Sequence, residues 1–430
     1  MLKSIFLFLV PGFWLLAGEP LYYSFATSEN GGVARLRADP ATGEVLEHKT
    51  LFVHEEAVKI KKVALSQNRH FLAANLEDVE DAGNIVLLDL REGSARFLDL
   101  KGEADHLLFV ENRLYVGSTA GRLFRVNPEA GEIEKEWDFR KLLDPSGRRP
   151  EDFVHDSEAN HLWVSFQKDS RQQRHRGSRL VGIDLTTHRI FADLQLPRDH
   201  PDLHYPIEVD GRESGPNPEV LRVSPNTNTL FVTLDLYGAV GMADLDAARE
   251  GRLQNWTVRS TAPDGSFGSA FPDRVGDLQL QGRDLIVVAN ASQAGGLAVV
   301  DPRAREVMQM APVFGGLSTL ESVPFADMLV SGSPGKIKAR TPEGLSNNRT
   351  PVTVWMLFEI REGEAPLLPV PLSMETPVHR VMPVDRNRSS LVYLNLGERA
   401  DEWVVIDVRT RKVHGRVKAF GSVGRTNRLP

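Results

Sequence analysis

Groups able to bind ions or move protons recur along the chain in small sets: Asp105-His106, Glu151-Asp152, Glu219 and His379-Arg380. Carboxylates beside an imidazole offer oxygen and nitrogen ligands to a divalent cation, or a pair of groups that shares a proton in acid–base work. These seven residues are the candidate ligand-binding set, provided the fold brings them to one place. A second candidate is His200-Pro-Asp-Leu-His204, whose two imidazoles would share one face of a helical turn opened by Pro201 and could ligate a metal. No third ligand stands near that pair, so solvated loop histidines are the plainer reading.

Residue types exclude other chemistry. The chain has no cysteine, which removes a lipoprotein anchor, disulfides, thiolate metal sites and a C-x-x-C-H haem site. No G-x-S-x-G elbow, H-E-x-x-H helix or phosphate-binding glycine loop occurs. The formal net charge of -7 repels phosphate backbones and anionic lipid surfaces, so nucleic acid is not an expected partner.

The elements that must position the candidates are strands. A β-rich phrase recurs eight times, as Leu21-Tyr-Tyr-Ser-Phe, Phe71-Leu-Ala-Ala-Asn, Leu114-Tyr-Val-Gly-Ser, Leu162-Trp-Val-Ser-Phe, Leu230-Phe-Val-Thr-Leu, Leu285-Ile-Val-Val-Ala, Met328-Leu-Val-Ser-Gly and Leu391-Val-Tyr-Leu-Asn. Their starting positions lie 43 to 68 residues apart, the spacing of four-stranded repeat units with insertions. A second strand follows most phrases and ends in Asp or Asn, at Asp89, Asn127, Asp184, Asp244, Asp301 and Asp407. A carboxylate or amide there bonds to backbone N–H groups two residues on and starts a tight turn, so these residues read as structural.

The phrases Leu114-Tyr-Val-Gly-Ser and Val404-Val-Ile-Asp407-Val-Arg-Thr410 resemble the bacterial YVTN-type repeats, relatives of the WD-repeat propellers. The resemblance implies an all-β fold, a single closed β-propeller of eight four-stranded blades, with seven as the alternative. Gly421 to Leu429 is expected to supply the inner strand missing from the first unit. Lys61, Asp105, Glu151, Glu219 and His379 would then begin inner strands at one level, near the mouth of the channel. Asp39-Pro-Ala-Thr-Gly43, and Asn127-Pro-Glu-Ala-Gly131 leading to Trp137, are also similar to the repeats of exported quinone-cofactor dehydrogenases, which implies a redox alternative.

Met1 to Gly18 reads as a secretory signal, with Lys3 before an apolar run too short to span a bilayer. Residues 19–430 are the expected propeller domain, periplasmic or secreted in a bacterium, with no transmembrane segment after signal removal. The long segments Leu76 to Gly83, Lys168 to Ser178, Pro197 to Pro218, Thr261 to Pro272 and Gly332 to Pro351 all follow a second or fourth strand, and those connections leave a blade on one face. One-sided loop growth marks a binding face. The expected function is a non-catalytic propeller that binds an envelope protein or a small-molecule ligand there. A metal-binding or hydrolytic enzyme at the channel mouth is the alternative, with a divalent metal ion as its cofactor.

Overall fold

The computed structural model describes residues 18–54, 59–77, 84–100, 102–143, 149–167, 178–197, 207–209, 212–292, 295–313, 316–317, 319–333, 336–341, 344–349, 355–363, 365–372, 377–396 and 401–426. His200, His204 and the leader up to Ala17 lie outside the described residues.

Eight four-stranded antiparallel sheets follow one another around a ring. Counting blades from the N-terminus, the first strands of blades 2 to 8 are Lys59–Leu65, Ala104–Val110, Arg149–Asp156, Pro218–Ser224, Pro272–Leu280, Thr319–Val323 and Val378–Pro383. First strands of successive blades lie against one another and line the centre. Blade 1 closes the ring as its missing strand required: Leu21–Ala26 pairs antiparallel with the C-terminal strand Ser422–Thr426. Closure removes the sheet edges that an open blade would leave. The eight-bladed form is the one found.

Burial explains why the second strands are apolar runs rather than alternating ones. Phe71–Glu77, Thr229–Leu234 and Leu391–Leu396 are buried at every position, because each is covered on both sides by neighbouring blades. Outer strands such as Glu132–Asp138 lie mostly in solvent. The core is a set of eight clusters, one at each seam between blades. Trp163, Leu221 and Leu230 fill the seam of blades 4 and 5, and Tyr23, Tyr393 and Trp403 that of blades 8 and 1. Each fully buried side chain of this kind contributes about 1.5–3 kcal/mol. Across the closing seam the Ala38 N–H donates to Tyr393 Oη at 2.7 Å.

The turn residues behave as their chemistry requires. Backbone N–H groups two residues on donate to Asp89, Asn127, Asp184, Asp301 and Asp407. Asp244 departs from this pattern, because the short helix Leu245–Arg249 follows it and its carboxylate takes Asn255 and Arg305 instead.

In this topology the second-to-third and fourth-to-first connections open on one face. The hairpin of Lys336–Thr341 and Gly344–Arg349 is inserted between the second and third strands of blade 7. That of Ile207–Val209 and Arg212–Ser214 lies between blades 4 and 5, on the same face. The opposite face has one long connection, 245–256, which holds the helix Leu245–Arg249. No helix among the described residues is long and apolar enough to cross a membrane.

Candidate functional site

Inner strands begin at the long-connection face, and there seven of the eight carry a bulge of one extra residue. The register steps over Asp105 in blade 3, Glu151 in blade 4, Asp273 in blade 6 and His379 in blade 8. In blades 2 and 5 it steps over Lys61-Lys62 and Glu219-Val220. A bulge bends its strand and re-aims side chains, and it leaves backbone groups outside the ladder.

Buried polar residues of the second strands stand beside the bulges, and in blades 2, 4 and 5 they accept from a bulge N–H. Ser24, Asn75, Ser118, Ser165, Thr233, Asn290 and Asn395 sit at the bulges, none more than 1% exposed. Asn75 accepts from the Lys62 N–H and donates to the Ala104 carbonyl of the next blade at 2.7 Å. Ser165 repeats the bridge, accepting from the Asp152 N–H at 3.0 Å and donating to the Glu219 carbonyl at 2.8 Å. Thr233 accepts from the Val220 N–H at 2.9 Å, and Ser24 donates to the Ile60 carbonyl at 3.2 Å. Asn75, Ser165 and Thr233 thus fix their own bulges, and Asn75, Ser165 and Ser24 reach the neighbouring inner strand.

The bulges of blades 2, 3 and 4 bring one cluster together. Asp105, His106 and Glu151 place a ligating atom each within 4.8 Å of one another. His106 Nδ1 lies 3.9 Å from Asp105 Oδ2, and its Nε2 lies 3.9 Å from Glu151 Oε1. Lys62 Nζ reaches the same Nε2 at 2.9 Å. Arg149 pairs with Asp105, whose side chain is 2% exposed, and its Nε lies 3.9 Å from Glu151 Oε2.

Electrostatics divide these groups. Burial, then the Asp105 charge, push the Glu151 carboxyl up to about 7, against the pull of Arg149 and Lys62. Burial opposes the Arg149 charge, but Asp105 and Glu151 outweigh it and raise its pKa. The site thus holds an ionic pair, an imidazole facing an ammonium, and a carboxyl that titrates near neutrality.

The remaining candidates are placed elsewhere. The Asp152 carboxylate accepts from the Leu221 N–H at 3.0 Å and serves the seam of blades 4 and 5. Glu219 stands one blade further on, outside the cluster of three. His379 and Arg380 lie on blade 8, separated from Lys62 by the inner strand of blade 1, and Arg380 donates to the Gly424 carbonyl at 2.6 Å. His200 and His204, expected as metal ligands, fall outside the described residues. Trp137, half of the quinone-dehydrogenase likeness, is 3% exposed and donates from its indole to the His188 carbonyl at 3.1 Å, a packing role.

Sequence reasoning missed Lys62, Arg149 and Asp273. A signal for Asp273 was present, because Pro272-Asp273-Arg274 repeats the pattern of Pro150-Glu151-Asp152. Lys62 was passed over for Lys61, since only the bulge decides which of two adjacent lysines meets His106.

No protein-family model matches the chain, and no curated protein matches it in sequence. Among solved structures it is similar to "Dihydro-heme d1 dehydrogenase NirN in complex with DHE", with a TM-score of 0.63 at 12% identity over 94% of this chain and 74% of that one. It is also similar to the C-terminal WD40 domain of Sif2, with a TM-score of 0.54 at 10% identity over 88% of this chain and 89% of that one. At such identities the likeness is one of fold, and the chain is an eight-bladed β-propeller.

Proposed function

We propose that this protein is an exported bacterial propeller that binds a small polar ligand over the channel mouth and does not transform it. The repeat type is assigned to the YVTN group on the phrases at Leu114–Ser118 and Val404–Thr410, and the compartment to the periplasm or outside on the Met1–Gly18 leader. One observation carries the reading. Lys62, Asp105, His106, Arg149 and Glu151 come from three adjacent inner strands and converge on the face where the inserted hairpins emerge. Bulges hold them in place, those of blades 2 and 4 pinned by Asn75 and Ser165, which is the preorganisation a binding site needs.

The test is titration calorimetry of the mature chain with a panel of amino acids, organic acids and a carboxylated tetrapyrrole. The last is included because one solved propeller of similar fold is a dihydro-heme d1 dehydrogenase. A true ligand should lose at least about tenfold in affinity in Arg149→Ala and Glu151→Gln, roughly 1.4 kcal/mol. It should be untouched by Asp246→Ala, a residue 70% exposed on the opposite face. A ligand indifferent to the first two variants, or no ligand in the panel, refutes the reading.

A further inference from the structure

We infer that Asp105, His106 and Glu151 form a divalent-cation site that Lys62 plugs with its own ammonium group. This rests on the channel-mouth reading for its location and adds the class of ion the cluster takes. Three donor atoms of the right kinds lie within 4.8 Å of one another before any ion is present. The near pair, His106 Nε2 and Glu151 Oε1, is 3.9 Å apart. A tetrahedral ion with bonds of about 2.1 Å holds its ligands about 3.4 Å apart, so this pair needs to close by about half an ångström.

The second observation is the position of Lys62. An ammonium group only donates, so at 2.9 Å from Nε2 it makes that nitrogen the acceptor and turns the imidazole lone pair toward a cation. The other nitrogen then carries the proton, on the side of Asp105 Oδ2 at 3.9 Å. Lys62 therefore marks a cation position with a single charge on a flexible four-carbon stem, which can swing aside. Arg149 pairs with Asp105 Oδ2, whereas the group on Nε2 is Lys62. Two carboxylates with one imidazole suit a transition-type ion such as zinc or manganese better than calcium or magnesium.

The experiment compares zinc binding to the full mature chain and to Lys62→Met, by calorimetry with metal content measured after dialysis. We expect the wild type to bind zinc weakly and Lys62→Met to bind one zinc per chain at least tenfold tighter. Adding His106→Ala to Lys62→Met should abolish that site while leaving weaker surface binding. Lys62→Gln, which keeps a polar group over the bulge, repeats the comparison if the methionine variant does not fold. The inference is overturned if neither substitution at Lys62 tightens zinc binding, or if the tight site survives His106→Ala. Zinc tightening without any panel ligand leaves this inference standing and removes the proposed function. A panel ligand without zinc tightening does the reverse.

Discussion

Two carboxyls of the same fold are driven in opposite directions by their surroundings. Asp89 is held down at about 2 by hydrogen bonds from the Arg91 side chain and from the backbone of its turn. Glu151 is pushed up to about 7 by burial and by Asp105. A carboxyl whose folded value is raised costs no stability below its ordinary value of 4.5, and costs progressively more as pH rises through 7. Glu151→Gln, which cannot ionise, should therefore match the wild type at pH 4.5 and exceed it at pH 8, by about 3 kcal/mol. Urea unfolding at a series of pH values measures this directly, and a gap that does not change with pH would contradict the assigned environment. The sequence could name Glu151 as a candidate from its strand-start position. It could not indicate that Lys62 and Arg149 would complete its surroundings.

At the scale of the element, the repeated device is a bulged inner strand pinned by a buried polar residue of the second strand. Removing the peg strands a backbone N–H of the bulge and a carbonyl of the next blade, at about 1–3 kcal/mol. Asn75→Ala and Ser165→Ala should each destabilise by that amount. The exposed Ser28→Ala should stay within about 0.5 kcal/mol of the wild type. Losses at Asn75 and Ser165 no larger than at Ser28 would show that water replaces the pegs. Their positions were already visible in the recurring phrases, where Ser24, Asn75, Ser118, Ser165, Thr233 and Asn395 interrupt apolar runs. Their purpose was not, because a bulge leaves no mark on hydrophobic periodicity.

For the molecule as a whole, stability depends on closure, since every blade is buried on two sides and no seam is spare. The closing strand contributes Val423 to the core of the last seam, with Ala419 just before it, and covers the edge of Leu21–Ala26. A chain ending at Lys418 should unfold at a markedly lower denaturant midpoint and self-associate through the exposed edge. Unfolding curves and size-exclusion chromatography would reveal it, and an unchanged monomeric midpoint would mean that the ring holds without its clasp. The sequence alone determined the number of strand phrases, the turns that join them and the face that takes the insertions. These are local properties, written in apolar runs, in Asp and Gly positions and in segment lengths. Which polar residues meet was decided by the tertiary structure. Lys62, His106 and Arg149 stand more than forty positions apart in pairs, and only ring order and the bulge registers bring them to one corner of the channel mouth.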